Sequence, residues 1–348
     1  MHSQSREVRV GDLVLGGTQP VRIQSMTNTK TSDVKATVSQ IHALENAGCE
    51  LVRVAVPDMS SAKKLGAIKR AIHIPLIADI HFDHRLALEA VHQGVDKIRI
   101  NPGNISDPWK LQAIVQAMKA GNIALRIGVN GGSLDKRILE KHGGPTARAM
   151  VESALEQVAV LESLDFHDIF ISLKSSNVRT TLEACELISE KTAYPLHLGV
   201  TEAGTLLGGT VKSALGIGPL LMKGIGATFR VSLSADPVEE IRVAKLILQD
   251  LQIRRFGVEL IACPSCGRAQ IDLVALSNAV EAALKDYHKP LTVAVMGCGV
   301  NGPGEAAHAD IGIAGGRQMG LIFKKGKIIR KVREEELLEA LLEEIEKI

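Results

Sequence analysis

Aromatic side chains are scarce in this sequence, with Phe, Trp and Tyr together making up 3% of it. Proteins that grip single-stranded nucleic acid use such rings as stacking platforms, so that class loses ground at once. Charge of neither sign is in excess either, with 41 Lys and Arg against 39 Asp and Glu, and no nucleic-acid partner is expected. Long apolar runs are missing. No stretch approaches the roughly 18 consecutive apolar residues of a spanning helix, and the opening "MHSQSREVRVGDLVLGG" lacks a signal-peptide core, so the expectation is a cytoplasmic protein with no membrane partner. Neither G-x-x-x-x-G-K-[ST] nor a strand-linked G-x-G-x-x-G occurs, which argues against ATP and NAD. Cysteine numbers only five, an odd count with no small disulfide-dense segment, and this favours a reducing compartment with metal-binding or catalytic thiols.

What is present is a repeated alternation. Short β-branched runs at 21–27, 51–57, 75–80, 95–102, 122–130, 167–175, 195–203 and 228–235 are separated by segments with apolar residues at i, i+3, i+4 and i+7. "Thr31-Ser32-Asp33" supplies an N-cap for the first of these. Strand then helix, repeated eight times, predicts an α/β fold of the (β/α)8 TIM-barrel kind, with an open doubly wound sheet as the competitor. After residue 250 the pattern changes to a smaller α+β module with a helix, a Gly-rich turn, a hairpin and an acidic terminal helix. At 348 residues two domains are expected, a barrel over 1–254 and the module over 255–348.

Ionisable residues recur once per unit in the strand runs: Arg22, Arg53, Asp79, Arg99, Arg126, Lys174, Glu202 and Arg230. Charges in buried parallel strands are costly unless paired or facing water, and at a barrel mouth they would form one ring. Such a ring is strongly cationic and suits a diphosphate, because arginine forks bind phosphate oxygens in pairs. Asn101, Asn104, Asn130, Ser172, Ser175, Ser176, Thr201 and Ser232 add neutral donors nearby. Asp79 reads as a support for the arginines and Glu202 as a proton-handling group. "HFDHR" at 81–85 offers His81, Asp83 and His84; substrate lining or helix capping is preferred over a metal there. The Gly- and Lys-containing insert at 131–146 is a candidate lid.

The cysteines pose a puzzle. Cys263 and Cys266 form a C-x-x-C pair, Cys298 follows a later strand, and a second pair is missing, although structural zinc commonly takes two. "CGVNGPGE" offers Glu305 on a glycine-dominated turn instead. Three thiolates and one oxygen fit a 4Fe-4S cluster with one distinctive iron, with zinc as the alternative. A barrel carrying zinc thiolates would suit a methyl transferase of the pterin-binding kind. Cys49 and Cys185 fall inside helical segments and read as buried structural residues.

"RINPGN", "RIGVNGGSL", "SLKSSN", "VTEAG", "CPSCGR" and "MGCGVNGPGE" together resemble the bacterial 4-hydroxy-3-methylbut-2-enyl diphosphate synthases of the methylerythritol phosphate pathway. The resemblance implies a TIM barrel followed by a 4Fe-4S domain related to those of sulfite and nitrite reductases. It implies reductive ring opening of 2-C-methyl-D-erythritol 2,4-cyclodiphosphate, with flavodoxin or ferredoxin as electron donor and a head-to-tail homodimer. Carried over residue by residue, it places the cluster ligands on Cys263, Cys266, Cys298 and Glu305. It places the diphosphate contacts on Arg53, Arg99, Arg126, Asn130, Lys174, Arg230 and Ser232, and the proton-handling carboxylate on Glu202.

Overall fold

A computed structural model describes residues 5–81, 83–100, 107–285, 287, 289–298 and 306–348. The chain divides into two compact units, Met1–Ile247 and Leu248–Ile348.

The first unit opens with a hairpin, β1 (Val8–Val10) and β2 (Leu13–Leu15). Eight parallel strands follow: β3 (Arg22–Met26), β4 (Leu51–Ala55), β5 (Leu76–Asp79), β6 (Lys97–Ile100), β7 (Ala124–Asn130), β8 (Ile169–Lys174), β9 (His197–Leu198) and β10 (Thr228–Phe229). They pair in the order β8-β7-β6-β5-β4-β3-β10-β9, and a parallel bridge between Ile171 and Leu196 closes the circle. A closed parallel barrel is the result, as the eightfold alternation predicts. β9 and β10 are only two residues long, so the polar ends of the last two predicted runs lie in loops rather than strand.

Local chemistry explains the helix boundaries. α1 (Val34–Ala47) starts where the Asp33 carboxylate accepts the Ala36 amide and ends at Gly48 in the left-handed region. Between β4 and β5 lie α2 (Met59–Ala62) and α3 (Leu65–Ala71); α4 (His84–His92) then follows β5. α5 (Pro108–Gly121) carries proline in its first turn, where no amide is needed. The insert forms α6 (Lys136–His142), tied to α7 (Ala147–Ser163) by Arg137–Glu156, Lys141–Glu152 and His142–Glu152 pairs at 2.7–2.8 Å. α8 (Val178–Lys191), α9 (Leu206–Met222) and α10 (Pro237–Asp250) complete the ring.

The hairpin plugs the N-terminal end of the barrel. Val8, Val10 and Leu15 pack with Leu51, Ile77, Ala124, Phe170 and Ala227, which lie at or near the starts of their strands. That seal leaves the C-terminal end as the chemically open face.

In the second unit β11 (Val258–Ala262), β12 (Leu291–Met296) and β13 (Ile311–Gly316) run parallel, β14 (Met319–Lys324) pairs antiparallel with β13, and β15 (Lys327–Arg333) pairs antiparallel with β14 to complete a five-stranded sheet. α11 (Leu273–Leu284) and α12 (Leu337–Ile345) cover one face, with Val280, Leu284, Leu337 and Leu341 packed on Val293, Val295, Ile311 and Ile313. The alternate residues Ala294 and Met296 pack on the other face with Ala314 and Phe323, as strand periodicity requires.

Candidate active site

Five cations from five different strands or strand ends converge at the open end of the barrel. Arg53, Arg99, Arg126, Lys174 and Arg230 lie within reach of one another's fields, and each of the first, third and fourth is disfavoured by its cationic neighbours. Asn130 pairs in register with Lys174 at the ends of β7 and β8, so it shares that edge. Ser232 follows Arg230 by two residues and is half-buried.

Close approach of the backbone makes room for these side chains. A β-carbon on Gly128 would stand 2.5 Å from Arg99 Nε, and one on Gly199, at φ +154°, would stand 2.6 Å from Lys174 Nζ. At Gly199 the backbone oxygen of Arg230, 2.7 Å from such a β-carbon, makes glycine a requirement, whereas at Gly128 a side chain would displace the Arg99 guanidinium.

Two buried carboxylates hold the arginines. Asp79 Oδ1 lies 3.1 Å from Arg99 Nη1 and its Oδ2 lies 3.7 Å from Arg53 Nε. Burial works to raise the Asp79 pKa, but Arg53, His81 and Arg99 outweigh it and hold the carboxyl well below its usual range. Glu240, only 2% exposed, accepts from Arg230 Nε at 2.9 Å and Nη2 at 2.8 Å, from Ser25 Oγ at 2.7 Å and from the Leu233 amide at 3.2 Å. The bidentate fork fixes the guanidinium plane. Sequence reasoning missed Glu240; its only signal was a second acidic residue in the first turn of a helix.

Beneath the ring the interior stays polar and cationic. Lys174 Nζ donates to His197 Nε2 at 3.3 Å, and His197 Nδ1 lies 2.9 Å from Thr228 Oγ1. Burial, then Arg126 and Lys174, push the His197 pKa well below its ordinary value, so the ring is neutral and its Nδ1–H points to Thr228. Lys97 is fully buried, with Nζ 4.2 Å from the centre of the Phe170 ring and no hydrogen-bond partner among the described residues. Arg126 Nη1 reaches Gln24 Oε1 at 3.4 Å, while Arg126 Nε and Gln24 Nε2 lack partners among those residues. Burial lowers Arg53 to about 10 and, with the neighbouring cations, lowers Arg126, Lys97 and Lys174 as well. A guanidinium keeps its proton near neutrality, so for the arginines this appears as unfavourable buried charge rather than as deprotonation.

Not every predicted position joins the ring. Arg22 begins β3 opposite Thr228, at the N-terminal end of the barrel, and pairs there with Glu50 at 2.5 Å. It falls out of the set because it is the first residue of its strand, whereas Arg53, Arg99 and Arg126 each stand two residues further along theirs. Glu202 lies exposed in the loop after β9 at φ 52°, a left-handed conformation uncommon for a residue with a side chain. In "HFDHR", the Asp83 carboxylate caps α4 through the Arg85 amide, and His81 Nε2 sits 2.9 Å from Arg99 Nη1. Asn101, Asn104 and Glu305 lie outside the described residues.

In the second unit Cys263 follows β11 directly and Cys298 follows β12 by two residues. These strands are parallel neighbours with Ala262 opposite Val295, so both thiols stand at the same edge of the sheet. The Gly297 amide donates to Cys263 Sγ at 3.3 Å, the kind of N–H···S contact that stabilises a metal-bound thiolate. Cys298 is buried, Cys263 half-buried and Cys266 exposed, and Cys263 also packs against the apolar face formed by Ala294, Met296 and Phe323. One apolar side, one amide donor and thiols on adjacent strand ends fit an iron–sulfur group. By contrast, Cys49 and Cys185 are fully buried in the barrel, and desolvation pushes both thiols up to about 12. They are inert packing residues.

Comparison with known proteins agrees with both halves. The TIM-barrel domain of GcpE matches residues 5–245 and the GcpE C-terminal domain matches residues 259–347. The chain belongs to the GcpE family. It is 58% identical over 346 residues to the 4-hydroxy-3-methylbut-2-en-1-yl diphosphate synthase (flavodoxin) of Geobacillus kaustophilus, covering 99% of this chain and 92% of that protein. It is 59% identical over 345 residues to the protein of the same name from Clostridium perfringens, covering 99% of each. Among solved structures, Yersinia pestis dihydropteroate synthase superposes with a TM-score of 0.50 at 12% identity, over 72% of this chain and 100% of that one. The last likeness concerns the barrel fold alone. Among the described residues of this GcpE chain, no helix is long and apolar enough to cross a membrane.

Proposed function

We infer that this chain catalyses the reductive ring opening of 2-C-methyl-D-erythritol 2,4-cyclodiphosphate to 4-hydroxy-3-methylbut-2-enyl diphosphate. Two electrons and two protons enter, a C–O bond of the ring breaks, and one water leaves. The observation that carries this reading is the convergence of Arg53, Arg99, Arg126, Lys174 and Arg230 on one end of a GcpE-family barrel.

The barrel residues bind and orient. Arg53, Arg99, Arg126, Lys174 and Arg230, with Asn130 and Ser232, take the diphosphate oxygens, and Asp79 and Glu240 keep the arginine forks aimed. Glu202, on its left-handed loop, handles the proton that accompanies loss of water. In the second unit Cys263, Cys266 and Cys298, with Glu305 as the oxygen ligand, hold a 4Fe-4S cluster. When bound, that cluster supplies single electrons to the substrate's C–O bond. Glu305 is the ligand suited to exchange, because a carboxylate holds soft iron less firmly than a thiolate does. Flavodoxin or a ferredoxin delivers the electrons. Residues 1–254 act as the substrate barrel and 255–348 as the cluster module, and a head-to-tail homodimer brings the module of one subunit to the barrel of its partner.

The deciding experiment is anaerobic reconstitution with iron and sulfide, assay of both elements, and turnover of the cyclodiphosphate with reduced flavodoxin. Conversion with four iron and four sulfide per chain is the expected result. Zinc without sulfide, or no conversion by fully loaded protein, would overturn the reading.

A further inference from the structure

On the outer surface of the barrel, far from the cationic mouth, three potential metal ligands come together from two elements. His42 and Glu45 are three residues apart on α1 and so share one face of that helix. His73 lies in the short turn between α3 and β5. One ligand atom from each of the three lies within 4.8 Å of the other two.

The surroundings hold His42 and Glu45 in the way metal ligands are held, while the His73 ring meets only Glu45, through a contact the ion would replace. Glu45 Oε1 accepts from the backbone amides of His73 at 2.6 Å and Ile74 at 3.2 Å, which fixes the carboxylate against the turn. Its Oε2 stands 3.0 Å from His73 Nδ1. His42 Nε2 bonds the Ala71 carbonyl at 2.8 Å, so His42 Nδ1 is the nitrogen left with a lone pair. An imidazole with one nitrogen bonded to a carbonyl or a carboxylate is the usual state of a metal-bound histidine. The two rings lie 6.0 Å apart between centroids, tilted by 30°.

We propose that His42, Glu45 and His73 form a surface site for a divalent transition ion of the zinc class, independent of the cluster and of the substrate site. Two imidazoles and a carboxylate are a ligand set for Zn²⁺, with water completing the tetrahedron. Bonds of about 2.0–2.1 Å require the ligand atoms to close to roughly 3.4 Å. The His73 side chain, 85% exposed, is free to make that movement. The ion would join the C-terminal half of α1 to the turn that leads into β5. Both features lie on the N-terminal side of the barrel, the side associated with stability rather than catalysis. Its role is therefore to clamp two neighbouring βα units.

The test uses cluster-loaded protein, whose cysteines are already occupied, titrated with Zn²⁺ against a chromophoric chelator. Wild-type protein, His42→Gln, His73→Gln and the double variant are compared. The expected result is one zinc per chain in the wild type and at least tenfold weaker binding in each single variant. Binding is lost in the double variant, and the wild type alone shows zinc-dependent protection against thermal unfolding. Iron, sulfide and turnover stay unchanged across the series. Equal zinc stoichiometry and affinity in wild type and double variant, or no zinc bound by the wild type, would sink the proposal.

Discussion

At the level of single residues, the mouth depends on groups that do not themselves touch substrate. His197 is the sharpest case, because its neutral ring accepts from Lys174 and so sets where that amino group points. Replacing His197 with Phe removes the acceptor and should raise KM for the cyclodiphosphate about tenfold, near 1.4 kcal/mol, while His197→Gln retains an acceptor and recovers most of it. Steady-state kinetics on cluster-loaded variants decide this, and an unchanged KM in His197→Phe rejects the role. Protonation gives a second prediction. Lys97 and Lys174 both have pKa values lowered by burial and cationic neighbours. A bound diphosphate favours their charged forms, raises those values, and draws protons from solution. Calorimetry of binding in buffers of different ionisation enthalpy should show net uptake; net release would contradict it. Among the proposed cluster ligands, Cys298→Ser should lose the cluster, whereas Glu305→Ala should keep part of it and lose most turnover, as read by iron content and assay. Charged residues in strand runs were legible from sequence because their cost demands a reason. Glu240, His197 and Gln24 were not, since a helix-borne acid and neutral polar groups carry no comparable cost until their burial is seen.

At the level of elements, the alternation of strands and helices was legible almost throughout, from Asp33 as the cap of α1 to the hairpin of β14 and β15. Two features were not. β9 and β10 shrink to two residues because their C-terminal ends turn away to present Glu202 and Ser232 in loops, and propensity alone does not mark where pairing stops. Arg22 shares its residue type with the ring but sits at the wrong end of its strand, which only register reveals. The hairpin of β1 and β2 was hidden because three-residue strands give too short a pattern. It seals the barrel floor, and Leu15 within it is fully buried. Leu15→Ala should therefore cost about 2–5 kcal/mol of stability, measured by urea unfolding of the barrel transition. A loss under 1 kcal/mol would mean the plug is ornamental to the fold.

At the level of the molecule, the proposed division of one reaction between the two units, with the proposed head-to-tail dimer, makes a distinctive prediction. A barrel-defective Arg126→Met chain and a cluster-defective Cys298→Ser chain are each inactive alone. If each active site takes its barrel from one subunit and its cluster from the other, co-expression restores roughly a quarter of wild-type sites by random pairing. No recovery, with mixed dimers shown to form, would place both halves within one chain. The composition gave no hint of such a division, because the net charge of +2 averages a concentrated cationic interior over the whole surface. That interior has one further consequence. Buried like charges cost stability, and any anion that binds among them stabilises by mass action, about 2.7 kcal/mol at a hundredfold excess over Kd. The lifetime of the protein in the cell should thereby follow supply: chains made faster than the cyclodiphosphate is produced should be the first to unfold and be degraded.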